Sequence, residues 1–156
     1  MRILHATTFL TGGAGRVLHD LAFAQRADGH DVRILANATE YFGYTHYPEY
    51  LDSFANEGIP VLLVDSIFKR ESTMDQSAVA TLQEHFRGVL PDVVHAHASI
   101  PAHVVDLAFA METGAPPIIQ TMHGWGLNKT PAMETQDIGI MNNLASIVVL
   151  NQSGRR

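Results

Sequence analysis

The sequence predicts an α/β fold: a single Rossmann-like, doubly wound parallel sheet of about six or seven strands, with helices on both faces. Three observations support this. Apolar runs rich in β-branched residues alternate with segments of helical periodicity along the whole chain. Runs such as 60–64 and 92–95 lack the polar alternation of a half-exposed strand, which is typical of parallel strands covered on both faces. A glycine-rich turn follows the first apolar run, at a position where such folds bind ligands.

The elements follow from these patterns in chain order. We predict strands at residues 2–8, 31–37, 60–64, 92–97, 117–122 and 146–150. We predict helices at residues 15–28, 48–57, 73–87, 101–113 and 131–143. Residues that favour helix ends agree with these bounds: the capping pair Thr73 and Gln76, the terminating glycines Gly29, Gly58 and Gly114, and Thr130 before Pro131.

Composition limits the class of protein. A chain of 156 residues with 46% hydrophobic content is long enough for one domain with a real core. The net charge of −6 argues against nucleic acid as a partner, because phosphate backbones require a basic surface. The absence of cysteine excludes disulfides, thiol catalysis and cysteine metal sites.

The sequence predicts neither a secretion signal nor a membrane span. The first residues lack the long apolar core of a secretion signal, and no apolar run approaches the roughly 20 residues that span a bilayer. We therefore expect a cytoplasmic protein, with peripheral contact to the inner face of a membrane as an alternative.

The glycine-rich turn predicts contact with a phosphate. Gly12, Gly13, Gly15 and Arg16 stand between the first strand and the first helix, where a bare backbone and free helix amides suit an anion. The alternative is a tight turn whose glycines serve geometry alone.

Two common phosphate-binding motifs are incomplete here. Leu18 occupies the third small position of a dinucleotide fingerprint, and the second strand ends in Asn37 rather than in an acidic residue. A P-loop would need lysine and a hydroxyl residue after Gly15, but Arg16 and Val17 follow. The sequence thus disfavours a dinucleotide cofactor and P-loop chemistry.

Chemically active residues follow several predicted strands, and parallel strands present these ends at one edge. His123, after the fifth strand, is the strongest candidate, and Gly124 and Trp125, which follow it, are candidate substrate contacts. It can donate a hydrogen bond to a sugar hydroxyl or a developing alkoxide, or act as acid or base. The alternative is a histidine bonded to nearby backbone with only a structural role.

His95 and His97 belong to the fourth predicted strand, and Ser99 follows it. We expect the side chains of His95 and His97 to lie on opposite faces of the sheet, with His95 packed in the core and His97 at the mouth of the ligand site. His97 and Ser99 are candidate substrate contacts. The nine histidines show no helical ligand pair and no carboxylate cluster, so we expect no metal.

An aromatic segment at 41–50 contributes Tyr44 as a further candidate substrate contact. Aromatic faces with hydroxyl tips stack on sugars. Burial against neighbouring helices, or contact with another subunit, would explain the same residues.

The motifs, taken in order, resemble a known family. They are Gly12-Gly13-Ala14-Gly15-Arg16-Val17, Gly29-His30-Asp31-Val32, Pro91-Asp92-Val93-Val94-His95-Ala96-His97, Thr121-Met122-His123-Gly124 and Ile147-Val148-Val149-Leu150-Asn151-Gln152-Ser153. Together they resemble the N-terminal half of the retaining, two-Rossmann-domain (GT-B) glycosyltransferases of the group 1 type, called family 4. The resemblance covers essentially the whole chain.

The resemblance implies an acceptor-side domain that meets a nucleotide-sugar held by a second domain. It implies that Gly12, Gly13, Gly15 and Arg16 approach the donor diphosphate and that His123 lies beside the transferring sugar. A nucleotide-sugar would be the co-substrate, without metal, and the acceptor would be a sugar or a lipid-linked molecule.

The chain is short for this family, since the expected donor-binding domain is absent from residues 1–156. We expect a fragment that is inactive alone and that meets the donor domain in cis or in trans. A homo-oligomer is a further expectation, because apolar surface that faces the missing domain would be exposed. The alternatives are a stand-alone half that needs a partner subunit and a non-catalytic binding or scaffolding domain. A one-domain hydrolase using His123 and Asp65 is disfavoured, because no nucleophile elbow is present.

Overall fold

A computed structural model describes residues 1–65, 72–124 and 129–150, with the backbone alone described for 72–75. The candidate contact Trp125 lies outside these residues. The capping side chain predicted at Thr73 also falls outside the description.

The predicted strands and helices are confirmed, six of the former and five of the latter. In chain order they are β1 Arg2–Ala6, α1 Gly12–Ala27, β2 Asp31–Asn37, α2 Pro48–Asn56, β3 Val61–Val64, α3 Ser72–His85, β4 Val93–Ala96, α4 Ser99–Phe109, β5 Ile118–Met122, α5 Pro131–Met141 and β6 Ser146–Val149. The main differences are at two helix starts and at the end of α4, which is Phe109 rather than residue 113. Helix α1 begins at Gly12 rather than at residue 15, and α4 begins at Ser99 rather than at residue 101.

The strands form one parallel sheet in the order β3-β2-β1-β4-β5-β6. The strand order reverses between β1 and β4, which are neighbours in the sheet although three helices and two strands separate them in sequence. Their register places His5 directly opposite His95. In folds of this kind, ligands bind at the carboxyl ends of the strands next to such a reversal.

Two apolar cores confirm that helices cover both faces of the sheet. On one face, Leu4 and Val94 of the sheet pack with residues of α3, α4 and α5, such as Leu82 and Val105. On the other face, Ile34 packs with residues of α1 and α2. Side chains alternate between these faces along each strand. His5 therefore lies on the α1 face, since Leu4 and Ala6 on either side of it belong to the opposite core.

Strand β6 is less well covered than the other strands. It is the last strand of the sheet among the described residues, and Ile147 and Val148 remain 40% and 43% exposed. No described helix is both long enough and apolar enough to cross a membrane.

Candidate functional site

A cavity of about 220 Å³ opens at the carboxyl ends of β4 and β5, beside the first turn of α4. Four of the residues singled out in the sequence line it: His97, Ser99, His123 and Gly124. They meet there because β4 and β5 are adjacent parallel strands. None of the other described candidates, namely Gly12, Gly13, Gly15, Arg16 and Tyr44, is among the residues that line this cavity.

The most ordered feature of the site is a row of histidines. His97 Nδ1 lies 3.1 Å from His123 Nε2, and His97 Nε2 lies 3.1 Å from His5 Nδ1. The other ring nitrogen of His5 is 2.7 Å from Gln25 Oε1 on α1. The row thus runs from the α1 face of the sheet to the cavity.

The expectation that His95 and His97 point to opposite faces was wrong. Their ring centroids are 4.4 Å apart, because side chains two residues apart on an extended chain share a face. His95 is half-buried and its Nε2 is 2.7 Å from the Thr121 hydroxyl, so it is not enclosed in the core. His97, expected at the mouth, lines the cavity yet is only 5% exposed.

Burial keeps these imidazoles neutral. Desolvation, reinforced by the neighbouring histidines, lowers the pKa of His97 to about 2. Desolvation likewise lowers the pKa of His5 to about 4, against a rise from its hydrogen bond with Gln25. Burial also lowers the pKa of His95 and of His123. At neutral pH each ring therefore carries one N–H group and one lone pair.

Three of these residues have a composition that could bind a metal ion. One ring nitrogen from each of His5, His95 and His97 lies within 4.8 Å of the other two. Neutral imidazole is a common zinc ligand. However, His5 Nδ1 and His97 Nε2 already share a hydrogen bond, so a metal ion on both atoms would have to displace its proton.

Gln120 contributes a buried acceptor that sequence analysis missed. Its amide nitrogen donates to Ser99 Oγ over 3.3 Å, while its Oε1 has no hydrogen-bond partner among the described residues. Burying an unsatisfied acceptor costs roughly 1–3 kcal/mol, so such an atom at a cavity wall suggests a place for a ligand hydroxyl or a water. The signal was a polar residue inside the apolar run that begins at Ile118.

An ion pair forms another wall of the cavity, and sequence analysis missed it too. Lys129 Nζ lies 2.5 Å from Asp137 Oδ2, and the Asp137 side chain is fully buried. Both residues line the cavity. The signal was an acidic residue among the apolar residues of α5, three positions before the buried Ile140.

The glycine-rich segment lies in the first turn of α1 rather than in a loop before it. Gly12 has a φ of +57°, which favours glycine, and Gly13 is exposed with open space around it. A Cβ on Gly15 would lie 3.0 Å from the Leu10 carbonyl carbon and 3.1 Å from the Tyr50 ring. Close packing of α1 against this segment therefore accounts for Gly15.

Arg16 and Tyr44 lie on the surface. The Arg16 guanidinium donates to Asp20 one turn later, over 2.8 Å. Tyr44 is half-exposed and its ring packs near Phe9, with centroids 6.0 Å apart. The cavity receives neither side chain.

Three solved structures have the fold of this chain. HepE from Anabaena, solved with UDP, matches with a TM-score of 0.69 and 18% identity over 98% of this chain and 38% of its own. MurG from Acinetobacter baumannii matches with a TM-score of 0.62 and 11% identity over 94% of this chain and 40% of its own. CalG4, the calicheamicin glycosyltransferase, matches with a TM-score of 0.53 and 15% identity over 89% of this chain and 37% of its own.

The chain thus spans about 40% of the length of these structures. None of the curated proteins compared with it matches its sequence. A profile of Glycosyltransferase Family 4, in contrast, matches residues 11–152, which is most of the chain and includes every residue that lines the cavity and all of the histidine row except His5. The chain belongs to Glycosyltransferase Family 4 and has the fold of an N-terminal GT-B domain.

Proposed function

We propose that this chain is the acceptor-side half of a nucleotide-sugar-dependent, retaining glycosyltransferase. The observation that carries the proposal is the cavity at the ends of β4 and β5, with hydrogen-bonding side chains from three elements. Membership of the family supplies the reaction class, and HepE, a structural relative, was solved with UDP.

The second half of the catalytic cleft belongs to a donor-binding domain, joined in cis or supplied in trans. This part of the proposal is supported by the share of about 40% that the chain covers in HepE and MurG. Since the nucleotide-sugar would bind that domain, the chain alone should transfer no sugar. We place the complete enzyme in the cytoplasm, with a sugar or lipid-linked acceptor.

The cavity residues fit contacts to hydroxyl groups. Gln120 Oε1 can accept a hydrogen bond from a hydroxyl, and His123 lies across the same space. Ser99 and Gly124 complete this wall, and the ion pair of Lys129 with Asp137 lies beside it. We assign His123 to the transferring sugar. A hydrogen-bonding side chain has its largest effect on rate where charge develops in the transition state.

The first turn of α1 is assigned to the donor diphosphate, across the cleft from the donor domain. Thr11 provides no side-chain cap for this helix, and Gly12 and Gly13 leave its backbone exposed. Exposed helix amides bind anions. Arg16 would reach the diphosphate only by leaving Asp20, and Trp125 and Tyr44 remain proposed contacts of the acceptor.

Sugar binding by the 156-residue chain tests the site. We would titrate ¹⁵N-labelled chain with neutral mono- and disaccharides and follow backbone amide shifts. Shifts centred on 97–99 and 120–124 are expected, and Gln120→Leu should abolish them. His85→Ala is the matched control, because His85 is an exposed histidine at the end of α3.

Two outcomes would contradict the proposal. Sugar-dependent shifts confined to another surface would remove the site, and robust turnover of a nucleotide-sugar by the chain alone would remove the division between two domains.

A second candidate function is a binding or scaffolding domain, favoured by the exposed apolar side chains of β6. Ile147 and Val148 would then pair two copies of the chain. Light scattering should show a concentration-dependent dimer that Val148→Lys disrupts. A strict monomer at high concentration would exclude this candidate.

A further inference from the structure

The hydrogen bonds from α1 to the cavity form one continuous path. Gln25 Oε1 contacts His5 Nε2 at 2.7 Å, and His5 Nδ1 contacts His97 Nε2 at 3.1 Å. His97 Nδ1 then contacts His123 Nε2 at 3.1 Å. His5 and His97 each use both ring nitrogens, whereas the Nδ1 of His123, on the cavity wall, has no hydrogen-bond partner among the described residues.

The direction of this path is fixed at one end. A neutral imidazole has one N–H donor and one acceptor nitrogen. Since Gln25 Oε1 can only accept, His5 must donate from Nε2, which leaves His5 Nδ1 to accept from His97 Nε2. His97 Nδ1 in turn must accept from His123 Nε2.

We propose that Gln25 is a positioning residue that sets the tautomer of His123, through His5 and His97, so that His123 offers its Nδ1 lone pair to the cavity. The chemical consequence rests on the proposed function. A lone pair at this position accepts a hydrogen bond from a sugar hydroxyl and repels the oxygens of a phosphate. The cavity therefore takes a neutral polyhydroxyl group, and the diphosphate lies elsewhere.

Burial supports this coupling. His5 is fully buried and His97 nearly so, so bulk water does not offer the two rings alternative partners. Their positions are fixed by the pairing of β1 with β4. His95 stays outside the path, because its Nε2 contacts Thr121.

A metal ion bound by the same histidines would require different tautomers. A metal ion held by His5 Nδ1 and His97 Nε2 would need a lone pair on both atoms, and no proton could lie between them. The tautomers of His5 and His97 therefore distinguish the hydrogen-bond path from a metal site.

Two-bond ¹H–¹⁵N correlation spectra of the histidine rings test the proposal on the 156-residue chain. In the unchanged chain, His5, His97 and His123 should all show the proton on Nε2. Gln25→Glu keeps an acceptor at the start of the path and should preserve this pattern. Gln25→Lys places a donor there and should move the proton of all three rings to Nδ1.

Arg26→Gln is the control, since Arg26 is the exposed neighbour of Gln25 on α1 and takes no part in the path. If Gln25→Lys does not fold, Gln25→Leu removes the fixed end and should give mixed tautomers at His123. A folded Gln25→Lys or Gln25→Leu chain with an unchanged His123 would overturn the proposal. So would one equivalent of zinc retained after gel filtration, with no ring proton between His5 and His97.

The readout is independent of catalysis. If sugars fail to shift the cavity amides while the tautomers respond to Gln25, the proposed function fails and the coupling stands. If sugars bind and the tautomers do not respond to Gln25, the proposed function stands and the coupling fails.

Discussion

The first turn of α1 and the ends of β4 and β5 lie at the same edge of the sheet but are built differently. In the first turn, tight packing against Leu10 and Tyr50 explains Gly15, and Arg16 is paired with Asp20 on the surface. At the strand ends, polar side chains are buried around a cavity, and Gln120 Oε1 lacks a partner among the described residues.

The difference concerns what packing can explain. A glycine at a close backbone contact is needed because it has no side chain. A glycine-rich motif of this kind therefore carries little information on ligand binding or catalysis. Buried polar groups oppose folding unless they are satisfied, and a group of them at a cavity is therefore the stronger indication of function. The predictions below separate the two regions by stability and by activity.

The largest effect on stability is expected at the ion pair. Lys129→Met leaves the fully buried carboxylate of Asp137 without its cation, and breaking such a pair typically costs about 3–5 kcal/mol. Chemical denaturation of the 156-residue chain would measure this loss. The double variant Lys129→Met with Asp137→Asn should recover most of it, and a single variant as stable as the unchanged chain would show that the pair contributes nothing.

The largest effect on activity is expected at His123. In the complete enzyme, His123→Ala should lower turnover on the order of 10²–10³-fold, as is typical when one placed hydrogen-bonding group is removed from a reaction site. The thermal midpoint should barely change, because His123 lies at the cavity wall. Steady-state kinetics and thermal melting would be compared with His85→Ala.

Replacing His95, which holds Thr121, should do the reverse and lower stability before activity. A His123→Ala enzyme that is unstable but fully active per folded molecule would make His123 structural.

A smaller effect is expected at Gly15. Gly15→Ala brings a methyl group into the backbone of Leu10, and overpacking of this kind costs about 1–3 kcal/mol. Gly13→Ala is the matched control, since it meets open space and should change stability by less than about 1 kcal/mol. Denaturant midpoints would measure both, and equal effects of the two substitutions would argue against the packing explanation.

The smallest effect, measured over a single pH unit, is the contribution of His5 to the pH dependence of stability. His5 is neutral in the fold, with a pKa of about 4, whereas its ordinary pKa is 6.5. The unfolded chain takes up the proton first, so this contribution is complete above pH 6.5 and is lost as the pH falls toward 4.

Between these values, the free energy of unfolding should fall more steeply in the unchanged chain than in His5→Gln, by up to about 1.4 kcal/mol per pH unit. Urea titrations at several pH values would measure the slopes. Parallel slopes would mean that folding does not lower the pKa of His5.

The elements and their order could be predicted because they depend on local patterns. The apolar run at β4 shows the bounds of that strand within a few residues. The glycines at 58 and 114 likewise show where α2 and α4 end. The edge that carries the cavity followed from the parallel sheet alone. His123 and Ser99 were placed correctly at that edge.

The partners within the site could not be predicted, because they come from strands distant in sequence. His5 meets His97 only since β1 lies beside β4, and this adjacency has no local signal. Asp137 in α5 is fully buried as the partner of Lys129, and the sequence does not show which cation pairs with it. The shared face of His95 and His97 could have been predicted, because side chains two residues apart on a strand lie on the same face. Placing His95 on the opposite face was an error of interpretation.

The incomplete cover of β6 affects hydrogen exchange and the association of the chain with other extended chains. Its outer backbone groups have no neighbouring strand among the described residues, and Ile147 and Val148 expose apolar surface beside them. A strand of this kind opens to solvent before the central strands do, so its amide hydrogens exchange with deuterium first. It is also a template onto which another extended chain can add, as at any uncovered edge strand.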